Sequence, residues 1–217
     1  KYGGSWSPTS DVRFRGSFQR AVRAPNVVEL FGTSFLGLWG GQDPCAATTT
    51  SPPAFTATQC ANLGLTAVQI ANFAASPNFS CPSAQCAARF SGNESLKPEE
   101  SDTQSFGVVF TPTFLKGFNA SVDYFDIFVD SVIGVVPQAV ILATCATDPA
   151  NSLCSKINRA AGSGVLFGAG FIDSPTENLG SIQTTGLDID ANYRLDLGDM
   201  DMDGNTLTFN LVGTRVF

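Results

Sequence analysis

The sequence predicts an all-β chain, an antiparallel sheet forming a segment of a transmembrane β-barrel, and three observations carry that expectation. Apolar and polar residues alternate with period two in five separate segments, which is the spacing of side chains that point to opposite faces of a strand. Connections between the segments alternate between very short and very long, so tight turns gather at one end of the sheet and long excursions at the other, as in outer-membrane barrels. The segments are also long enough, at ~9 to 11 residues, to cross a bilayer at a tilt.

The elements follow in chain order. Lys1-Tyr-Gly-Gly-Ser-Trp-Ser7 reads as the end of a strand, a stub, and Pro8-Thr-Ser-Asp11 as a tight turn. In Val12 to Gln19 the residues Val12, Phe14, Gly16 and Phe18 oppose Arg13, Arg15, Ser17 and Gln19. Residues 21 to 102 make a first long excursion. Gln104 to Phe110 then sets Phe106, Val108 and Phe110 against Ser105, Gly107 and Val109, and Leu115-Lys-Gly117 turns the chain back. Phe118 to Asp130 opens with Phe118, Ala120, Val122 and Tyr124 against Asn119, Ser121 and Asp123. Its phase changes at Phe125 to Val129, which predicts a bulge or a strand leaving its first environment. Residues 131 to 180 form the second excursion. From Thr185 to Leu197 the odd positions are Leu187, Ile189, Ala191, Tyr193 and Leu195, while Gly186, Asp188, Asp190, Asn192, Arg194 and Asp196 fill the even ones. Gly198 to Asn205 is a short turn, and Thr206 to Thr214 sets Leu207, Phe209 and Leu211 against Thr208 and Asn210. Five full strands and a partial one result.

Composition narrows the function classes. With 12 basic and 19 acidic residues the net charge is −7, which argues against a chain-wide attraction to nucleic acid. There is no His among the 217 residues, which removes the commonest general base and a common metal ligand. Adjacent Glu99 and Glu100 would point to opposite faces of a strand and are poorly placed to share a substrate. No catalytic residue, metal or cofactor is expected, and the chain does not read as an enzyme. Asp199-Met-Asp-Met-Asp-Gly-Asn205 copies the first half of a calcium loop. Its twelfth position is Asn210 rather than Glu, so an ordinary hairpin turn is the better reading. The uncharged run Ser131 to Thr147 carries Pro137, Gln138 and several hydroxyls and is too short and polar for a membrane helix.

The six cysteines fall as neighbours, Cys45 with Cys60, Cys81 with Cys86, Cys145 with Cys154. An even count without CxxC or Cys/His spacings favours disulfides in an oxidising compartment. Six cysteines allow fifteen connectivities, and pairing by proximity closes the shortest loops. Pro44 through Ala88 contains no Asp, Glu, Lys or Arg and is rich in Ala, Thr, Ser and Pro, a linker-like texture that the cysteines would pin. Within it Thr66-Ala-Val-Gln69 forms a capping box ahead of Ile70 and Phe73, predicting a short helix near 66 to 75.

Phe14 to Phe31 reads FRGSFQRAVRAPNVVELF and Gly92 to Phe110 reads GNESLKPEESDTQSFGVVF. Both resemble signatures of the TonB-dependent outer-membrane receptors, as do Val122-Asp-Tyr-Phe-Asp-Ile127 and Asn178-Leu-Gly-Ser-Ile-Gln-Thr-Thr-Gly-Leu-Asp188. The resemblance implies a 22-stranded barrel closed around an N-terminal plug, in the outer membrane of a Gram-negative cell. Such a receptor imports a scarce nutrient, a ferric siderophore or a carbohydrate or similar small ligand, with energy passed through TonB. Residues 1–217 would be about a quarter of that barrel, from its later half, with loops 21–102 and 131–180 extracellular and Phe217 a mid-strand cut. Plug and TonB box would lie elsewhere in the parent protein, making outer-membrane lipid, the plug, TonB and a small-molecule ligand its partners. Paired cysteines in outer loops are familiar in some branches of the family, which agrees with pairing by proximity.

The resemblance also marks Arg20, Arg23, Asn26 and Glu29, where a strand passes into the first excursion, as ligand or loop-base candidates. The plainer role there is Arg23 and Glu29 bracing the loop against the wall. In a wide barrel Arg13, Arg15, Asp188, Asp190, Asn192 and Arg194 would face the lumen, where they keep their water. Tyr2, Trp6, Tyr124, Phe125 and Tyr193 are candidates for interfacial girdles. The alternative of a different class is a secreted, disulfide-stapled β-sandwich that binds carbohydrate or protein, with its polar face simply meeting water.

Overall fold

The computed structural model describes residues 1–197 and 205–217. The calcium-like turn therefore lies outside the described residues, apart from Asn205. In chain order the strands are β1 (Tyr2–Trp6), β2 (Val12–Arg23), β3 (Phe35–Gly40), β4 (Gln85–Ser91), β5 (Glu99–Phe110), β6 (Phe118–Asp130), β7 (Ile133–Gly134), β8 (Ile157–Asn158), β9 (Phe171–Pro175), β10 (Glu177–Asn178), β11 (Ile182–Asp196) and β12 (Thr206–Val216). The α-helices are α1 (Val27–Phe31), α2 (Ala57–Asn62), α3 (Ala67–Ala75) and α4 (Gln138–Thr147). The chain divides into two compact units, a sheet unit (Lys1–Ala24, Pro98–Val132, Gly180–Phe217) and a loop unit (Pro25–Lys97, Ile133–Leu179).

The sheet unit is one open antiparallel sheet in the order β1-β2-β5-β6-β11-β12. Residues directly opposite one another share a face, so the register sorts the side chains. Trp6, Phe14, Val108, Val122 and Ile189 form one continuous apolar row. Ser5, Arg15, Gly107, Asp123, Asp188 and Thr214 form a polar row on the other side. The strands span 12, 12, 13, 15 and 11 residues after the five-residue stub β1.

Two expectations about this sheet need correction. β6 pairs with β5 and β11 without a break in register from Phe118 to Asp130, so of the two alternatives expected at the phase change, a bulge or a strand leaving its first environment, the bulge is excluded. Instead the apolar stripe runs out while the ladder continues: above Tyr124 on the same face stands Asp126, which accepts a hydrogen bond from Gln183 at 2.9 Å. The first excursion is also shorter than residues 21 to 102. β2 extends to Arg23 and β5 starts at Glu99, because Arg23–Glu99 and Arg20–Asp102 are cross-strand partners that prolong the ladder.

The loop unit has its own four-stranded sheet, β3-β4-β9-β8, in which β4 and β9 run parallel, and a short β7–β10 ladder. The linker-like composition of Pro44 to Ala88 thus conceals regular structure. Thr66 caps α3 as expected, its hydroxyl accepting from Gln69 N while the Gln69 side chain accepts from Thr66 N. Thr56 and Gln59 build the same box one helix earlier. Phe73, Ile141, Leu142, Leu166 and Ile172 are fully buried, and all the buried hydrophobic residues among those described lie in this unit. Disulfides join Cys45 to Cys60, Cys81 to Cys86 and Cys145 to Cys154. At the centre Asp43 (1% exposed) meets Arg159, which donates to its Oδ2 at 2.6 Å and also to the carbonyls of Leu63 and Gly164 at 2.9 and 2.8 Å. A buried charge with this many partners avoids most of the desolvation cost it would carry alone.

Candidate functional site: the loop base and the polar face

Within the loop unit, three separated stretches of sequence converge. Asn26 caps α1, its Oδ1 accepting from Val28 N and Glu29 N at 2.9 Å each, and the Glu29 carboxylate accepts from Asn26 N at 2.7 Å. The helix stops at Gly32, whose carbonyl accepts from Gly92 N at 2.9 Å, while Glu29 O accepts from Asn93 N at 2.8 Å. A Cβ on Gly92 would come within 2.8 Å of the Leu30 carbonyl, so only glycine allows the approach. Asn93 Nδ2 donates to Thr176 O at 3.0 Å. Asn178 clasps Lys97 from the far side, accepting from its N at 2.9 Å and donating to its O at 3.0 Å. Asn26 to Phe31, Gly92 to Lys97 and Thr176 to Asn178 therefore make one hydrogen-bonded base.

Within the sheet unit Arg23 holds Glu99 with Nε and Nη2 at 2.6 and 2.9 Å, and Arg20 holds Asp102 at 2.7 and 2.6 Å. These two bidentate pairs do not form one cluster. Three residues apart on a strand, they stand on opposite faces, Arg20 on the side of Phe14 and Phe18, Arg23 on the side of Arg13 and Arg15. Of the expected candidates, Arg20 and Arg23 belong to the sheet unit and Asn26 and Glu29 to the loop unit. Glu99 and Glu100 likewise fall on opposite faces of β5.

The register places Arg13, Arg15, Asp188, Asp190, Asn192 and Arg194 together on the polar face. Arg15 reaches over an entire strand to grip Asp123 with Nε and Nη2, the Nε contact at 2.7 Å. Gly107 lies beneath that bridge, and a Cβ there would collide with the Asp123 carboxylate and stand 3.2 Å from Arg15 Nε. Beside it Asp188 accepts from Thr214 Oγ1 at 2.6 Å, and Asn192 donates to Asn210. Phe125 is a correction to the girdle set: its ring lies on this polar face over Gly186, where any Cβ would overlap it. Tyr2, Trp6, Tyr124 and Tyr193 do stand on the apolar face.

Elsewhere in the loop unit Arg89 pairs bidentately with Asp173 at 3.0 and 2.9 Å across the parallel ladder and lies 4.6 Å over the Phe171 ring. The hydrogen bonds that Arg89 donates to Asp173 raise the Arg89 pKa above its ordinary value. Among the described residues no three Cys, Asp or Glu side chains gather as a metal cage. No helix among them is long and apolar enough to cross a membrane, which leaves crossing by strands open. Sequence reading missed Gly107, Asn93 and the Asp43–Arg159 pair. Gly107 and Asn93 sit inside quoted motifs and carried a signal, whereas Asp43 and Arg159 are 116 residues apart with nothing local to join them.

An open antiparallel wall with one apolar and one polar face, bearing long structured loops, is the architecture of an outer-membrane β-barrel segment. The family model for the TonB dependent receptor-like β-barrel matches residues 1–216, and the chain belongs to that family. In fold it resembles a variant of the ferric enterobactin receptor PfeA of Pseudomonas aeruginosa in complex with enterobactin, with a TM-score of 0.52 at 16% identity over 98% of this chain and 21% of that one. The same receptor in complex with BCV-L6 gives 0.51 at 16% identity, over 98% and 21%. The siderophore receptor PirA of Pseudomonas aeruginosa gives 0.49 at 15% identity, over 99% and 27%. This chain thus spans 21% to 27% of the length of these receptors. No curated protein sequence matches it. The family and the structural matches are receptors of the outer membrane rather than enzymes.

Proposed function

We propose that residues 1–217 are a wall segment and its outer loops from a larger TonB-dependent receptor that imports a scarce nutrient. The single observation that carries this reading is the division of the sheet unit into two faces. On the apolar face of β11 the run from Leu187 to Leu195 covers ~27 Å along the strand at ~3.4 Å per residue. A tilt of ~40° reduces it to ~21 Å, close to the ~25 Å apolar band of such barrels. Thr185 and Gln183 then follow, with Arg20–Asp102 beside them. This face meets lipid. The opposite face lines the lumen, where Arg15–Asp123 and its neighbours face water or the plug of the parent chain.

In this reading the loop unit is extracellular, the small ligand is a ferric siderophore or a carbohydrate, and TonB acts through the parent protein. The barrel is closed by strands and filled by a plug that lie elsewhere in the parent. A soluble sandwich needs a second sheet over its apolar face. Trp6, Phe106 and Phe209 are instead 66%, 59% and 55% exposed, which favours the lipid-facing reading.

An epitope inserted at exposed Ser51–Pro52 of the full-length receptor tests the orientation. It is expected to be stained by antibody on intact cells, and staining only after permeabilisation would overturn it. Growth of receptor-deleted cells on ferric siderophores and on oligosaccharides as sole iron or carbon source decides the ligand class. A requirement for the receptor without a requirement for TonB would overturn energised import.

A further inference from the structure

Trp39, near the end of β3, forms one wall of a cleft of about 250 Å³ in the loop unit. Its six-membered ring lies over Gly41, where any Cβ would overlap it, so glycine lets the ring rest against the backbone. Gly41 N in turn donates to Ala84 O at 2.9 Å, which ties that backbone to the turn ahead of β4. Pro44 and Phe55 supply the next wall. They are the two ends of one loop, closed where Pro44 O accepts from Ala54 N and Phe55 N at 2.8 and 3.0 Å. Ala139 and Leu142 of α4 complete the lining, three residues apart and so on one side of the helix. Leu142 belongs to the buried core. The cleft is thus shaped by the loop unit's own fold.

No charged side chain lines it. The Gln42 amide at its edge is already satisfied, with Oε1 accepting from Cys81 N at 2.9 Å and Nε2 donating to Cys81 O at 3.2 Å. The basic residues of the loop unit are Arg89, Lys97, Lys156 and Arg159, and all but Lys97 are ion-paired, to Asp173, Glu177 and Asp43. An anionic ligand finds little charge here to answer its own. The Trp39 indole N–H, by contrast, wants a partner: among the described residues it is the only buried side-chain nitrogen or oxygen without one. Such a group costs about 1 to 3 kcal/mol, which an oxygen reaching the edge of the ring removes.

We propose that this cleft seats one pyranose ring of a neutral oligosaccharide, an inference that rests on the receptor reading and names its ligand class. A sugar ring carries C–H groups on its faces and hydroxyls around its rim. The electron-rich faces of aromatic rings attract the C–H groups, and Trp39 and Phe55 supply such faces here. A rim hydroxyl supplies the acceptor that the Trp39 N–H lacks. The loop closed by Pro44 and Phe55 also carries exposed hydroxyls at Thr49, Thr50 and Ser51 for further polar contacts. A purely apolar occupant, such as a leucine side chain of a partner protein, leaves the indole N–H unpaired. The volume lies below the ~300 to 1,000 Å³ of pockets that enclose a whole drug-sized ligand, so one ring enters and the rest of the oligomer stays outside.

The experiment uses the full-length receptor with two variants, Trp39→Ala, which removes a wall, and Ala139→Phe, which fills the space from α4. Binding to an array of neutral oligosaccharides is measured beside binding of a ferric tris-catecholate, an anionic iron chelate. Wild type is expected to bind at least one neutral oligosaccharide, and each variant to bind it about tenfold more weakly, the loss of one stacked ring. Resistance of the loops to thermolysin equal to that of wild type shows that a variant is folded, and if Trp39→Ala loses it, Ala139→Phe decides. Sugar binding unchanged in a folded variant, or no binding to any member of the array, overturns the proposal. Binding of the chelate that falls in both variants while no sugar binds assigns the cleft to that anion instead. Uptake of the bound sugar by cells lacking TonB would sink the receptor reading itself, whatever the variants show.

Discussion

The two units of this chain are held together by different means. In the sheet unit many large apolar side chains stay exposed, Trp6, Phe106 and Phe209 among them, and its order comes from ladder hydrogen bonds and from cross-strand pairs such as Arg15–Asp123 and Arg20–Asp102. The loop unit buries Phe73, Leu142 and Leu166 completely and ties itself with three disulfides. One unit carries its own core, and the other, in the proposed reading, depends on a surrounding bilayer and on neighbouring strands to satisfy its edges. A substitution should therefore register through packing in the loop unit and through the side of the wall it faces in the sheet unit.

The sharpest break of that contrast is Asp43→Ala, which strands Arg159 as an unpaired buried charge at a cost of ~3 to 5 kcal/mol. Thermolysin treatment of intact cells is expected to degrade the loops of this variant while the barrel keeps its heat-modifiable mobility on gels. Next comes a pair of neighbours on β11. Ile189→Arg puts a charge on the lipid-facing side, costing ~2 to 4 kcal/mol near mid-membrane, whereas Asp190→Arg on the polar face is tolerated. The folded fraction on unboiled gels separates the two, and equal losses would refute the assignment of faces. Replacing Cys145 and Cys154 by Ser is expected to lower loop-unit stability by ~2 to 4 kcal/mol, read as earlier thermolysin cutting with barrel mobility unchanged. The smallest effect is Asn26→Ala, which removes the cap of α1 for ~1 kcal/mol. It should speed exchange of the Val28 and Glu29 amides without altering expression.

Much of the wall was legible because a sheet with one wet and one greasy face writes its period directly into the sequence. Thr185 to Leu197 shows it most plainly, and β11 carries that alternation from Gly186 to Asp196. At the loop base the motifs located the right stretches but not their geometry. Arg20 and Arg23 are close in sequence, yet the alternation of a strand sends them to opposite faces once β2 is known to continue through both. Signals for the helices were present and only partly read: Thr56-x-x-Gln59 and Asn26-x-x-Glu29 are capping pairs like Thr66-x-x-Gln69. The loop unit's core was not legible, because a stretch of Ala, Thr and Ser without charges has no polar face to define an apolar one. Its organising ion pair joins residues whose meeting depends wholly on tertiary structure.

The parallel pairing of β4 with β9 has a consequence for the order of assembly. Each disulfide spans only 15, 5 or 9 residues and can close once its own stretch has emerged, since short loops meet quickly. Arg89 and Asp173, which bridge the parallel ladder, are 84 residues apart, and between them lie both β5 and β6 of the wall. Oxidation can thus be finished on each excursion separately before the two are stitched into one body. A chain halted before residue 171 would carry all three bonds and still lack the sheet that joins its loops.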